Sequence, residues 1–252
     1  MKQKSRTEYS VMNTTVAFLA QTLAIFMGFF TRVVFTRTLS EGYVGINGLF
    51  TDILNILSLS ELGVGTAITY ALYTPIARRD IKKQQILMRM FRNFYRITAG
   101  FVLLAGLCLI PFLDILMKDR PDVNHLIIIY LLYLLNSVVS YLLIYKKTLV
   151  DAHQMNYITV MYHNGFLVLQ DILQIMVLFL TRNFILFLVI AVVCTIIGNI
   201  CMSRKADRLF PYLKEPCKEQ LPQEERHDIL RNVKAMLMHK IGNVVVNNTD
   251  NL

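Results

Sequence analysis

The sequence predicts an all-α integral membrane protein, and three observations carry that prediction. Of 252 residues, 55% are hydrophobic and only 17% charged. The mean hydropathy is positive, at +0.48. Apolar runs recur at about the 20-residue length that crosses a hydrocarbon core about 30 Å thick. The formal charge of +9 would suggest nucleic acid in a soluble chain. Here the basic residues concentrate between apolar runs, where they act on topology instead.

Six spans are expected, over residues 13–37, 43–70, 97–117, 126–145, 157–180 and 184–202. The first carries Arg32, a charge that costs at least a few kcal/mol at membrane depth unless it meets a partner or a wet cavity. Thr14, Gln21, Gly28 and Arg32 fall on one side of this helix at about 100° per residue. In span two, Asn47, Thr51, Asn55, Ser58, Glu61, Gly65 and Thr69 share an arc of about 120°, with Asp52 beside it. Two polar-faced neighbours read as the lining of an aqueous passage. Arg32 and Asp52 reach similar depth on antiparallel helices, so an ion pair and an anion contact are both open readings of Arg32. Glu61 lies nearer the cytosol, beside the Gly63 and Gly65 kink.

Span three is bland, and its Gly100 and Gly106 read as helix-packing positions. Span four sets Tyr133, Asn136, Ser137, Ser140 and Lys147 on one face. Span five sets His163, Asn164, Gln170, Asp171 and Gln174 within about 120°, with Asp171 near mid-membrane. Spans one, two, four and five are therefore expected around a hydrophilic cavity, with three and six packed outside it.

Of the 26 basic residues, all but Arg32, Arg37, Lys118, Arg120 and Arg182 fall at the N-terminus, in the even-numbered connections or beyond span six. The positive-inside rule places those segments in the cytosol. The first run is too long for a cleaved signal peptide and is read as a span. Cys108, Cys194, Cys201 and Cys217 show no metal spacing and are expected as free thiols. Beyond span six, Pro211, Pro216 and Pro222 punctuate a charged connection, and Ile229, Leu230, Val233 and Leu237 suggest an amphipathic helix from about Gln223. The expected divisions are 1–205, 206–238 and 239–252, the last opening a seventh span in which Lys240, Asn243, Asn247 and Asn251 share a face.

Several local sequences resemble one family. Asn13-Thr14-Thr15 leads into an apolar helix. Thr31-Arg32 and Thr36-Arg37-Thr38-Leu39 run into Gly42-Tyr43-Val44-Gly45, and Glu61-Leu62-Gly63-Val64-Gly65 follows. With His239-Lys240-Ile241-Gly242 and Asn248-Thr249-Asp250-Asn251, these resemble the Wzx-type oligosaccharide flippases of the multidrug/oligosaccharidyl-lipid/polysaccharide exporter superfamily. The resemblance implies a six-helix lobe plus the start of a seventh helix, half of a two-lobed transporter in the bacterial cytoplasmic membrane. It implies movement of undecaprenyl-diphosphate-linked oligosaccharide between leaflets for capsule, O-antigen or exopolysaccharide synthesis. Membrane lipids, a coupling proton or sodium, a polysaccharide polymerase and glycosyltransferases are the implied partners.

The candidate cavity residues are Gln21, Arg32, Asn55, Glu61, Asn136, Asn164, Gln170, Asp171, Gln174, Lys240 and Asn247, with Glu61 and Asp171 the coupling-ion candidates. No cofactor, metal or nucleic acid is expected. Arg32 stands against Asp52, Glu61 and Asp171, which leaves a cation-coupled drug or small-molecule exporter of the same superfamily as an alternative. A membrane polymerase or ligase is the second alternative. The sequence offers it no catalytic constellation, phosphate loop or large outer connection, so a non-enzyme is expected.

Overall fold

The computed structural model describes residues 6–57, 64–113 and 123–215, and beyond them 219, 221–225, 227–229, 231, 235 and 238. Every regular element among them is helical. These are α1 (Arg6–Thr38), α2 (Glu41–Leu57), α3 (Val64–Ala77), α4 (Ile81–Leu109), α5 (Leu126–Tyr141), α6 (Ile144–Ala152), α7 (Asn156–Thr181) and α8 (Phe184–Leu209). Five stretches are long and apolar enough to cross a membrane: Thr7–Thr38, Ile81–Phe112, Leu126–Ala152, Asn156–Thr181 and Phe184–Leu209. Phe18, Phe26, Leu104, Phe179 and Leu180 are each at least 60% exposed on them. Outward apolar surface on this scale fits a multi-pass membrane protein.

Expected span two is described in two parts, α2 with 17 residues and α3 with 14, on either side of residues 58–63. Glu61, Lys240 and Asn247 lie outside the described residues, as do Ser58, Gly63, Cys217 and the expected opening of a seventh span.

Span four departs from a straight rod. α5 ends at Tyr141, Leu143 adopts a left-handed conformation at φ 71°, and α6 restarts at Ile144. Neither glycine nor proline marks this break. The third span begins earlier than expected, because Asp80 caps α4 by accepting from the Lys83 amide at 2.9 Å, and Gln84, Leu87, Met88 and Phe91 bury its first turns.

Packing sets α1, α2, α5, α8 and α7 as successive neighbours in a ring, α1 leaning mainly on α7 and meeting α2 lightly. α4 lies outside this ring against α5 and α3, as expected for span three. Span six was expected outside as well, yet α8 is a ring member that carries α5 on one side and α7 on the other. Its small and polar positions Thr195, Gly198 and Asn199 make that inward placement possible. Phe35, Phe50, Tyr130, Leu134 and Tyr141 are buried in the core, and the Tyr130 hydroxyl donates to the Gly106 carbonyl at 2.8 Å.

The basic connections meet at one end of the bundle. Asn13 of α1 donates to the Gln154 carbonyl at 2.9 Å and accepts from the Tyr157 amide at 2.8 Å, capping α7 from the side. Lys146 pairs with Asp207 at 2.8 Å and donates to Ser203 at 2.9 Å, tying α6 to α8. After α8, Tyr212 donates to Gln84 at 2.6 Å and its carbonyl accepts from Gln85 at 2.6 Å. Lys82 and Lys83 reach Glu219 and Glu225 at 3.1 and 2.8 Å, strapping the following chain across the start of α4. Residues 223–225 and 227–229 are helical, and Ile229 packs against the core.

Candidate functional site

A cavity of about 360 Å³ opens between α5 and α7, with α8 as its floor. These two helices pack on α8 and little on each other, so the gap between them remains. From α5 and the bend come Asn136, Ser140, Leu143 and Ile144, and α6 adds Lys147. From α7 come Thr159, Tyr162, His163, Phe166 and Gln170, and α8 supplies Cys194, Thr195, Gly198 and Asn199. No acidic side chain is among the described residues that line it. The left-handed Leu143 sits in the wall, a sparsely populated conformation for a bulky residue that costs about 1 to 3 kcal/mol.

The polar groups of the wall differ in what they already hold. Asn199 donates to the Val139 carbonyl at 3.0 Å, bridging α8 to α5. Thr159 donates to Asp151 at 2.6 Å. Lys147 forms no ion pair among the described residues, although Asp151 follows one turn later on its helix. Asn136 Oδ1 is buried and accepts no hydrogen bond. A buried amide oxygen without a partner costs about 1 to 3 kcal/mol, a cost that a donor from a ligand would remove. His163 stands exposed at the rim.

The polar face of α7 divides three ways. His163 and Gln170 face this cavity. Asp171 faces α1, where it accepts from Thr31 at 3.0 Å, and the same hydroxyl also lies 3.0 Å from the Met27 carbonyl. Gln174 is buried and donates to the Phe187 carbonyl of α8 at 3.0 Å. Asn164 is buried at 4% exposure, and Gln170 lies 3.4 Å from Gln174.

On the first two helices the predicted polar residues point elsewhere. Gln21, Arg32, Asp52 and Asn55 are all exposed and outside the cavity. The expected alternative of an Arg32 to Asp52 ion pair is not formed; Arg32 instead lies 5.6 Å from the ring centre of Phe35. Phe35 belongs to an aromatic group with Phe184, Phe187 and Tyr43 beneath the far end of the bundle. There Tyr43, Asn124, His125 and Arg182 border a second, shallower recess of about 270 Å³.

Of the residues the sequence singled out, Asn136, Lys147, His163 and Gln170 line this cavity. Sequence reasoning missed the contribution of α8, whose Thr195, Gly198 and Asn199 form a small-polar stripe within an apolar helix. The i, i+3, i+4 spacing of those three residues was the available signal.

Outside the membrane-spanning stretches, burial lowers the pKa of His153, whose Nδ1 donates to the Leu149 carbonyl at 2.9 Å while its ring lies tilted against Phe210, 4.4 Å between centres. Burial pushes the Tyr212 phenol up to about 12. Among the described residues no His, Cys, Asp or Glu cluster is arranged to hold a metal.

No protein-family model matches the chain, and neither a characterised protein nor a solved structure matches it.

Proposed function

We propose that the protein moves a lipid-linked oligosaccharide between the leaflets of the bacterial cytoplasmic membrane, as a step in surface-polysaccharide assembly. The single observation that carries this reading is the cavity itself. It lies among membrane-length helices, offers Lys147 and hydrogen-bonding side chains, and has no acidic residue among those lining it. Such a space suits a sugar headgroup with an anionic phosphate while the lipid tail stays in hydrocarbon. The flippase-like local sequences point the same way and supply the undecaprenyl diphosphate carrier, the two-lobed architecture and alternating access to this reading.

The orientation that follows puts the end bearing Lys146, Lys147 and the Tyr212 strap in the cytosol, so the cavity faces the leaflet where the cargo is made. A cationic cargo would favour a carboxylate in the wall. Asp171, the acid nearest in sequence to Gln170, is turned to Thr31 on α1 instead. The half-buried position of Asp171 between α1 and α7 suits a coupling proton or sodium ion whose occupancy alters that helix contact.

The test is made in the host cell. Deleting the gene should cause lipid-linked oligosaccharide to accumulate on the cytosolic leaflet, with loss of the matching surface polysaccharide. Restoring the gene should reverse both. Unchanged surface polysaccharide and no accumulation on deletion would overturn the proposal.

A further inference from the structure

Two guanidiniums on α4 lie where that helix enters the membrane. Its apolar stretch begins at residue 97, directly after Arg96, and the expected fourth span ends at Tyr145, so Arg92, Arg96 and Tyr145 stand at one interfacial level. They also meet in the fold, since α4 packs against α6 and the charges of Arg92 and Arg96 both act on the Tyr145 hydroxyl. Arg92 Nε is buried and has no hydrogen-bond partner. Neither arginine forms an ion pair among the described residues. Asp207 acts on the same hydroxyl, but Lys146 holds that carboxylate at 2.8 Å, which leaves the two guanidiniums in excess. Glu215 is beside Gln85 at 3.4 Å, about 10 Å before Arg92 along α4 at 1.5 Å per residue. Like charges one turn apart repel, and an anion between them removes that cost. The same face continues into hydrocarbon: Arg92, Arg96, Gly100, Leu103 and Leu107 fall within an arc of about 80°. Leu103 and Leu107 are exposed, and nothing lies within 4 Å of where a side chain at Gly100 would begin. Because α4 is outside the ring of helices, this face is reached from the bilayer and not from the cavity.

We propose that this face of α4 binds an anionic phospholipid of the leaflet at the basic end of the bundle, its phosphate on Arg92 and Arg96 and one acyl chain over Gly100, Leu103 and Leu107. Arginine suits the headgroup because its planar fork pairs two N–H groups with phosphate oxygens, and the Tyr145 hydroxyl can donate a further bond. Basic pockets between helices at the cytosolic surface attract such headgroups. Bound there, the lipid bridges α4 to α6, the short helix that carries Lys147 into the cavity wall. The site stands apart from the cargo cavity, so it holds or fails independently of the transport reading.

The purified full chain in detergent micelles is titrated with phosphatidylglycerol, with phosphatidylcholine of the same acyl chains and with glycerol 3-phosphate, and bound molecules are counted by native mass spectrometry. Phosphatidylglycerol should bind at least tenfold tighter than phosphatidylcholine. Arg92→Gln combined with Arg96→Gln should lower the phosphatidylglycerol affinity at least tenfold, and Arg92→Lys combined with Arg96→Lys should lower it less, because the charges remain. Arg204 and Arg208 are a matched exposed pair one turn apart near the end of α8, and replacing both by Gln should change the affinity less than twofold. Gly100→Leu should weaken phosphatidylglycerol, and an unchanged affinity would overturn the acyl seat. A change below twofold in the folded Arg92 and Arg96 double variant would overturn the proposal. So would an equal loss in the Arg204 and Arg208 variant, which would reduce binding to attraction by basic surface at large. Glycerol 3-phosphate binding as tightly as phosphatidylglycerol would overturn it too, by making the ligand a soluble phosphate. Thermal unfolding establishes that each variant is folded. Should the Arg92 and Arg96 double variant fail to fold, Arg96→Gln alone decides, since Arg96 is exposed, and a change below twofold there overturns the site.

Discussion

Replacing Asp171 by Asn removes a charge from the middle of α7 while keeping an oxygen where the Thr31 hydroxyl needs one, 3.0 Å away. Replacing Thr31 by Val does the opposite: it keeps the carboxylate and removes the donor. Hydrogen bonds between membrane helices average about 0.6 kcal/mol and reach about 1.7 kcal/mol. Asp171→Asn should therefore unfold within about 1 kcal/mol of wild type, since the geometry survives. Thr31→Val should cost about 0.6 kcal/mol if the acid is neutral, rising to about 1 to 3 kcal/mol if a carboxylate is left without its donor. Thermal unfolding of the two single variants and the double variant gives the coupling energy of the pair and, through its size, the charge state of Asp171. Leaflet transfer of lipid-linked oligosaccharide in cells is the second readout. The coupling role expects Asp171→Asn to stop transfer while the protein stays folded, and Thr31→Val to slow it only in part. Wild-type transfer in Asp171→Asn would reduce the residue to a packing contact. Equal losses in Asp171→Asn and Thr31→Val would assign the effect to the contact and not the charge.

Other expectations follow from the packing. Asn13→Ala removes both the donor to Gln154 and the acceptor for the Tyr157 amide, so it should cost about 1 kcal/mol, measured by thermal unfolding. A methyl group at Gly106 would collide with both δ-methyls of the buried Leu134, whereas one at Gly100 meets nothing within 4 Å. Gly106→Ala should therefore be the less stable of the two by about 1 to 3 kcal/mol, and equal stability would contradict the packing of α4 on α5. Tyr212 contributes through its neutral form, with a pKa raised from 10.0 to about 12. Its contribution is fully present below pH 10 and is lost as pH rises through about 12, so a fluorophore on the strap should report detachment only in that window. In a cysteine-free background, Lys82→Cys should label from outside only after the cells are permeabilised, and Arg182→Cys in intact cells; the reverse pattern would invert the membrane orientation.

The five membrane-length helices among the described residues were legible because length and hydropathy are properties of the chain itself. Where α4 begins was not, since residues 81–96 are too charged to read as membrane and owe their helix to the Asp80 cap and to burial of Leu87, Met88 and Phe91. The break at Leu142 and Leu143 was equally hidden. Local propensity favours an unbroken helix there, and tertiary packing overrides it. For the site, facial periodicity correctly grouped the polar residues of α7 but could not tell which neighbour each would meet. At about 100° per residue, Gln170 and Asp171 stand far enough apart to face a cavity and α1 respectively. The polar stripe of α1 and α2 was read as the cavity lining, yet Gln21, Arg32 and Asn55 face outward, and only the placement of whole helices distinguishes the two.

The same angular separation gives two adjacent lysines different neighbours. Lys146 and Lys147 are identical in chemistry and neighbours in sequence, but about 100° separates them on α6. Lys146 is directed to α8, where Asp207 and Ser203 satisfy it at 2.8 and 2.9 Å. Lys147 is thereby turned to the cavity. This division depends on the bend, since α6 takes its own direction only after the left-handed Leu143. Continuing α5 straight would move both lysines off these partners. The strain at Leu143 and the ion pair at Lys146 thus act together: one redirects the helix, the other fixes its rotation, and Lys147 lines the cavity. Lys146→Met should accordingly disturb the cavity without touching it. It should lower the thermal stability more than Lys147→Ala does, because only Lys146 loses an ion pair, and equal losses in the two variants would mean that the lysines are not separated in this way.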